Sequence, residues 1–192
     1  MQKIAIGAQT LIFPMPAFLI GADVAGKANF MTAAWSGIAC SSPPMVSVAL
    51  QHHRHTLKGI KENGTFSLNV PSQDQVREID YCGIVSGTKH DKTADCGFTV
   101  FYGLLKTAPL IEQCPLNLEC KVVHILNLGS HALIVGQIEE THASEDCMTD
   151  GLPDANKLKP IIYSSGAEKR YHALGAPLAQ AFSVGKYIKQ QG

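Results

Sequence analysis

The chain has 192 residues, 45% of them hydrophobic and 17% charged, with Lys plus Arg matching Asp plus Glu at 16 each. Such a balance gives no electrostatic ground for a nucleic-acid or membrane-surface partner, and no apolar run reaches the roughly 20 residues that span a bilayer. Length and composition fit one domain, 1–192, with a sizeable core and no disordered tail.

The six cysteines, Cys40, Cys82, Cys96, Cys114, Cys120 and Cys147, are scattered and form no Cys-x-x-Cys pair. Neither a disulfide framework nor a zinc or iron–sulfur site is expected, and most thiols should be buried as small hydrophobes. Gln9, Thr10, Pro14 and Pro16 interrupt any signal-peptide core, so the expected location is cytoplasmic.

Thr10 to Phe13 is a short apolar run closed by Pro14 and Pro16. Phe18 to Ala22 is the first strand candidate, and Asp23 to Lys27, with Gly26, reads as the turn into the next. Three runs follow, Asn29 to Trp35, Gly37 to Cys40 and Met45 to Leu50. Ala33, Ala34, Ser36 and Gly37 are small enough to let the backbone approach a ligand and offer it peptide donors and acceptors. Ser41, Ser42, Pro43 and Pro44 form a rigid loop between two strands, because proline restricts both itself and its predecessor. The second strand ends in Gln51, His52, His53, Arg54, His55 and Thr56. On a strand His53 and His55 would share a face and make a metal site conceivable. No carboxylate or cysteine lies at ligand spacing nearby, and no metal is assigned.

Leu57 and Ile60 lie at helical spacing within Thr56 to Asn63, and Gly64 is placed to end that helix. Thr56 is then near a helix N-terminus, where unpaired amides and the dipole favour a phosphate, with Arg54 just ahead. The same spacing also suits an ordinary surface helix with a solvated arginine. Thr65 to Val70 alternates as a half-buried strand ended by Pro71. Ser72 with Gln75 makes a capping box for a helix burying Val76, Ile79 and Cys82. The loop from Ser86 to Gly97 brings Lys89, His90 and Lys92 beside glycine, as a second phosphate clamp or as a hydrated basic loop. Phe98 to Tyr102 reads as a strand. Leu116 to Leu128 and His131 to His142 form a hairpin turning at Gly129 and Ser130, two long barrel walls with His131 at the mouth. Pro160 to Tyr163 is a short strand, and Gly166 to Gly192 an arm open to wrapping a neighbouring subunit.

Seven stretches in order carry a resemblance: GKANFMTAAW (Gly26 to Trp35), SSPPMVSVAL (Ser41 to Leu50), FSLNVPS (Phe66 to Ser72), DYCGIVSGTKHDK (Asp80 to Lys92), APLIEQCPLNLEC (Ala108 to Cys120), GSHALIVGQI (Gly129 to Ile138) and AFSVGK (Ala181 to Lys186). They resemble the flavin reductase-like family of FMN-binding split barrels, and its flavoredoxin-type branch in particular. The resemblance implies a mainly β fold with peripheral helices (α+β), an antiparallel split β-barrel. It implies FMN with Asn29, Thr32, Ala33, Ala34 and Trp35 at the ring and Ser41 and Ser42 at the ribityl chain. Arg54, Thr56 and Lys92 fall to the phosphate, and His131 beside the cofactor. Thr93 stands where the family often has an aromatic residue. No protein acid, base or nucleophile is expected to be essential, since the cofactor carries the redox chemistry. Two functions follow: an electron carrier working with redox protein partners, or an NAD(P)H-dependent flavin reductase. Without a GxGxxG fingerprint a nicotinamide would have to stack on the flavin. A homodimer covering one flavin face is the expected assembly.

Overall fold

The structure, a computed structural model, describes residues 1–190; the last two positions of the 166–192 arm lie outside the described residues. In chain order the elements begin with β1 (Met15–Pro16), β2 (Phe18–Val24), β3 (Lys27–Ala33), β4 (Ser36–Ser41), β5 (Pro44–Gln51), α1 (His55–Asn63) and β6 (Thr65–Val70). They continue through a 3-10 turn at Gln73–Gln75 into α2 (Val76–Ile84), α3 (Lys92–Asp95), β7 (Val100–Phe101), β8 (Leu110–Ile111) and the long β9 (Leu116–Leu128) and β10 (His131–Ala143). The last part holds β11 (Met148–Thr149), β12 (Leu152–Pro153), α4 (Ala155–Leu158), β13 (Ile161–Ser164) and β14 (Arg170–Ala173). Among the described residues no helix is long and apolar enough to cross a membrane.

Seven strands form one antiparallel sheet in the order β3-β2-β6-β9-β10-β5-β4. The sheet curls into a split barrel with β3 and β4 at its two edges. Curling needs bends, and β10 supplies them at register shifts between Val135 and Gly136 and between Ile138 and Glu140. Gly136 is needed there because a Cβ would run into the Phe66 ring. One face packs the barrel interior, with Ile20, Met31, Val48, Leu50, Leu57, Phe66 and Ile134 buried together. The other face packs Leu19, Phe30, Ile79, Cys82 and Ile111 under α2 and the chain after β8. Each fully buried large side chain contributes about 1.5 to 3 kcal/mol.

Several expectations shift. The turn between the first two strands is confined to Ala25 and Gly26, both at positive φ, so β2 runs to Val24 and β3 starts at Lys27. Thr65 to Val70 is buried on both faces. Ser67 and Asn69 are fully enclosed because residues 109–111 cross over them, and they bond to Pro109, Leu19 and Ile111 backbone groups. The Phe98 to Tyr102 strand shrinks to two residues, Phe98 packing instead edge-on against Phe30. His53 and His55 share no strand, since β5 ends at Gln51 and α1 begins at His55. The Gly64 cap at φ 66°, the Ser72–Gln75 capping box and the Gly129 turn match the sequence reading.

Candidate functional site

Among the described residues β3 pairs only with β2, so its outer backbone edge is open. Antiparallel pairing turns alternate residues outward. The Phe30 carbonyl accepts from Lys92 and the Ala28 carbonyl from Thr93, and by the same alternation the Thr32 peptide groups face that edge. Three cavities run along it. One of about 270 Å³ lies between Lys27–Asn29 and Gly87–Lys92. A second of about 160 Å³ lies between His53–Thr56 and Ile84–Gly87. The third, of about 330 Å³, lies between Met31–Trp35, Ala49–Gln51, His131 and Tyr163. Adjacent cavities share walls: His55, Gly87 and Lys92 between the first two, Met31 and Arg54 between the last two. From Asn29 to Ala33 the groove follows five residues of strand, roughly 15 Å, before the chain turns at Ala34 and Trp35.

The Asn29 end gathers cations and free backbone amides. Helix α1 opens at Arg54 with no side-chain cap and no acidic residue in its first turn. Ser, Thr, Asp or Asn usually satisfies those amides; here they are left for whatever enters the groove. Thr56 is fully buried, and its hydroxyl accepts from Asn29 Nδ2 at 2.6 Å, which ties α1 to β3. Arg54 Nη1 donates to the Gly83 carbonyl at 3.0 Å. Lys92 is not the mobile loop lysine its glycine-rich setting suggested. It opens α3 behind an Asp91 cap, is 4% exposed, and donates to the Phe30 and Cys82 carbonyls at 2.9 and 2.8 Å. Two of its three protons are thereby spent, leaving one toward the groove it lines. Burial, and then the Arg54 charge, holds its pKa below the usual lysine range, against the pull of Cys82 and Cys96.

Two residues that the sequence reading did not place at a cofactor complete this end. His55 carries a buried Nδ1 with no hydrogen-bond partner in the structure. Burial first, then Lys58 and Lys92, keeps its pKa below the ordinary 6.5, so the imidazole is neutral at pH 7. A buried polar atom without a partner is costly, and one lining a groove marks a position for a ligand. Gly87 forms the opposite wall: a Cβ there would collide with Asn29 Oδ1 and lie 3.0 Å from the His55 ring.

The other end is flat and aromatic. Trp35, 41% exposed, stacks on His131 with ring centroids 4.7 Å apart and planes 26° from parallel. The β5–β10 register, which sets His131 opposite Gln51, delivers the imidazole to Trp35. Tyr163 from β13 adds a third ring to this cavity and was not singled out in the sequence. Thr32 and Ala34 line the cavity, the Thr32 hydroxyl donating to the Ile79 carbonyl to fasten α2. Ala33 lines it with its backbone neighbours while its side chain is buried in the barrel interior.

The groove thus gathers nine of the residues expected at a cofactor, and three of the expected placements differ in where the fold sets the residue, Asn29 within the groove and Ser41 and Ser42 outside it. Asn29, expected at the ring, lies at the anion end with Thr56. Ser41 and Ser42, expected at a ribityl chain, are exposed at the β4–β5 turn, roughly 17 Å along β4 from Trp35, and line none of the three cavities. The histidine trio divides: His52 reaches the Gly129 carbonyl at 2.9 Å, while His53 and His55 both line the groove. Among the described residues no three His, Cys, Asp or Glu side chains come together as metal ligands.

The chain matches the sequence model of the family described as flavin reductase like domain over residues 10–172. An uncharacterized protein of Archaeoglobus fulgidus is 36% identical over 155 residues, 80% of this chain and 85% of that one. The crystal structure of flavoredoxin from Methanosarcina acetivorans superimposes with a TM-score of 0.93 at 40% identity, covering 98% of this chain and all of that one (100%). Flavoredoxin of Desulfovibrio vulgaris (Miyazaki F) does so with a TM-score of 0.89, also at 40% identity, over 96% and 100%.

Proposed function

This chain belongs to the flavin reductase-like family, and from that footing we propose that it is an FMN-holding electron carrier of flavoredoxin type, passing electrons between redox partners. The observation that carries the reading is the groove: one open strand edge joins an uncapped helix start flanked by cations to an exposed aromatic platform. A long ligand with a dianion at one end and a planar heterocycle at the other answers both. The likeness to two flavoredoxins at 40% identity supports the same choice.

The flavin, when bound, supplies electron transfer through its ring. The chain supplies position and field. The α1 amides, Arg54 and the remaining Lys92 proton hold the phosphate, which also accepts from the otherwise unpartnered Nδ1–H of neutral His55. Trp35 and His131 present a flat wall to the ring, and the outward peptide groups of β3 meet its polar rim. No side chain in the groove is assigned a proton-transfer or nucleophilic step.

The expected partners are redox proteins and a second copy of the chain. The β9 half beyond Lys121 has no β6 partner and exposes Val123, Leu126 and Leu128, and the β4 edge exposes Ile38. Open strand edges of this kind invite pairing unless covered, which supports a homodimer.

Titrating FMN should quench the fluorescence of Trp35, the only tryptophan. Arg54→Ala should weaken FMN about tenfold or more, the worth of one charge-assisted contact, while riboflavin binding stays nearly unchanged. Equal losses for both ligands would show that the phosphate end is misassigned. In an anaerobic spectrum the bound flavin should stay oxidised with NADH or NADPH and bleach with a reduced redox protein. Rapid bleaching by a nicotinamide would overturn the carrier reading in favour of a reductase.

A further inference from the structure

Beneath the anion end two thiols touch. Cys82, buried on α2, and Cys96, half-buried just after α3, have Sγ atoms 4.0 Å apart, the one such pair among the described residues. A disulfide needs about 2.05 Å, so the two states differ by roughly 2 Å shared between two side chains. Their surroundings also set an order of reaction. Cys96 lines an open cavity of about 510 Å³ together with Arg77, Tyr81 and Asp95, whereas Cys82 has no exposed surface. A small disulfide can therefore reach Cys96 first.

The same backbone holds both groove cations. Lys92 donates to the Cys82 carbonyl at 2.8 Å and Arg54 to the next carbonyl, Gly83, at 3.0 Å. The Cys96 amide donates to the Lys92 carbonyl at 3.1 Å. Drawing the sulfurs together moves the supports of Lys92 from both sides.

We propose that Cys82 and Cys96 form a redox-responsive dithiol whose closure to a disulfide loosens the groove's hold on its anionic ligand. The second half of this statement rests on the flavin reading above. The co-reactant is a low-molecular-weight disulfide. The Cys96 thiolate attacks one of its sulfurs and expels one thiolate; the Cys82 thiolate then attacks Cys96 Sγ in that mixed disulfide and expels the second. Two protein S–H bonds and one small S–S bond are lost, one protein S–S bond forms, and two small thiols carry away both protons and both electrons. Burial raises the pKa of both thiols, Glu78 and Asp95 add to this at Cys96, and Lys92 pulls the other way. The pair is mostly protonated at neutral pH and stays reduced until a disulfide accumulates.

The experiment exposes the FMN-loaded chain to oxidised glutathione, alkylates the remaining thiols and maps peptides by mass spectrometry, with FMN affinity measured before and after. A Cys82–Cys96 cross-link with the other cysteines still alkylated is expected. FMN affinity should fall about tenfold and return with dithiothreitol, and Cys96→Ser should show neither cross-link nor fall. Glutathione that remains on Cys96 without a cross-link would overturn the dithiol. A cross-link that leaves FMN affinity within about twofold would overturn the coupling. Should the reduced chain not bind FMN, the flavin reading fails and the cross-link still decides the dithiol. If Cys96→Ser is unfolded by circular dichroism, Cys82→Ala serves as the second variant.

Discussion

Arg54 occupies a position where a helix normally wants a short polar cap, and the missing cap is what makes the α1 start available. Around it each residue does one job that can be removed singly. Gly87→Ala should press on Asn29 and His55 and weaken FMN about tenfold or more, while the thermal midpoint, set mainly by the distant barrel core, moves little. A calorimetric FMN titration beside a melting curve checks this; an unchanged affinity would mean the groove is wider than the Gly87 contacts allow. Lys92→Met differs from Arg54→Ala, because Lys92 also satisfies two buried carbonyls. Leaving those unpaired costs about 1 to 3 kcal/mol each way the chain cannot relax, so urea unfolding should register Lys92→Met even without flavin.

At the scale of elements, the buried Glu119 on β9 binds the loop that crosses the sheet. Its carboxylate accepts from the Leu104 amide at 2.9 Å and from the Leu105 amide, and meets His142 Nε2 on β10 at 2.7 Å. Burial alone would raise its pKa; the His142 imidazole and the two amides outweigh it and leave it below the ordinary 4.5. A depressed carboxyl contributes stability that is present above its unfolded pKa and lost as pH falls through the folded one. Stability should therefore drop as pH falls below about 5, and Glu119→Gln should flatten that slope while lowering stability at pH 7. Urea midpoints across the range check both. The Ser72 cap is a smaller case: Ser72→Ala should cost about 1 kcal/mol, because its hydroxyl and Gln75 satisfy each other's backbone amides at the start of the 3-10 turn that leads into α2.

At the scale of the molecule, the exposed Val123, Leu126 and Leu128 lie on the half of β9 that pairs with β10 but that β6 does not reach, and they concentrate apolar surface along an open edge. Sedimentation should find a dimer at micromolar concentration, and Leu126→Asp should shift it toward monomer with the barrel intact. A wild-type monomer with FMN bound would contradict the assembly argued for the flavin face.

By itself the sequence determined what depends on near neighbours. The Gly64 cap, the Ser72–Gln75 box, the proline turn at Ser41–Pro44 and the Gly129 hairpin are written in residues a few positions apart, where backbone restriction and local hydrogen bonds decide the outcome. Its ordered stretches also named the family, and with it most of the groove's walls. Only the tertiary structure decided which of those residues meet. Asn29 reaches Thr56 because α1 docks against the β3 end, Trp35 meets His131 through the β5–β10 register, and Ser41 and Ser42 stay remote because β4 carries them to its end away from Trp35. Lys92 reads as a phosphate clamp or a hydrated loop cation, and its burial shows only when α2 and β3 are seen to enclose it; Ser67 and Asn69 read as solvent-facing until residues 109–111 cover them. The cause is common to all of these. Burial and pairing across long separations depend on sheet order and register, which local spacing does not encode.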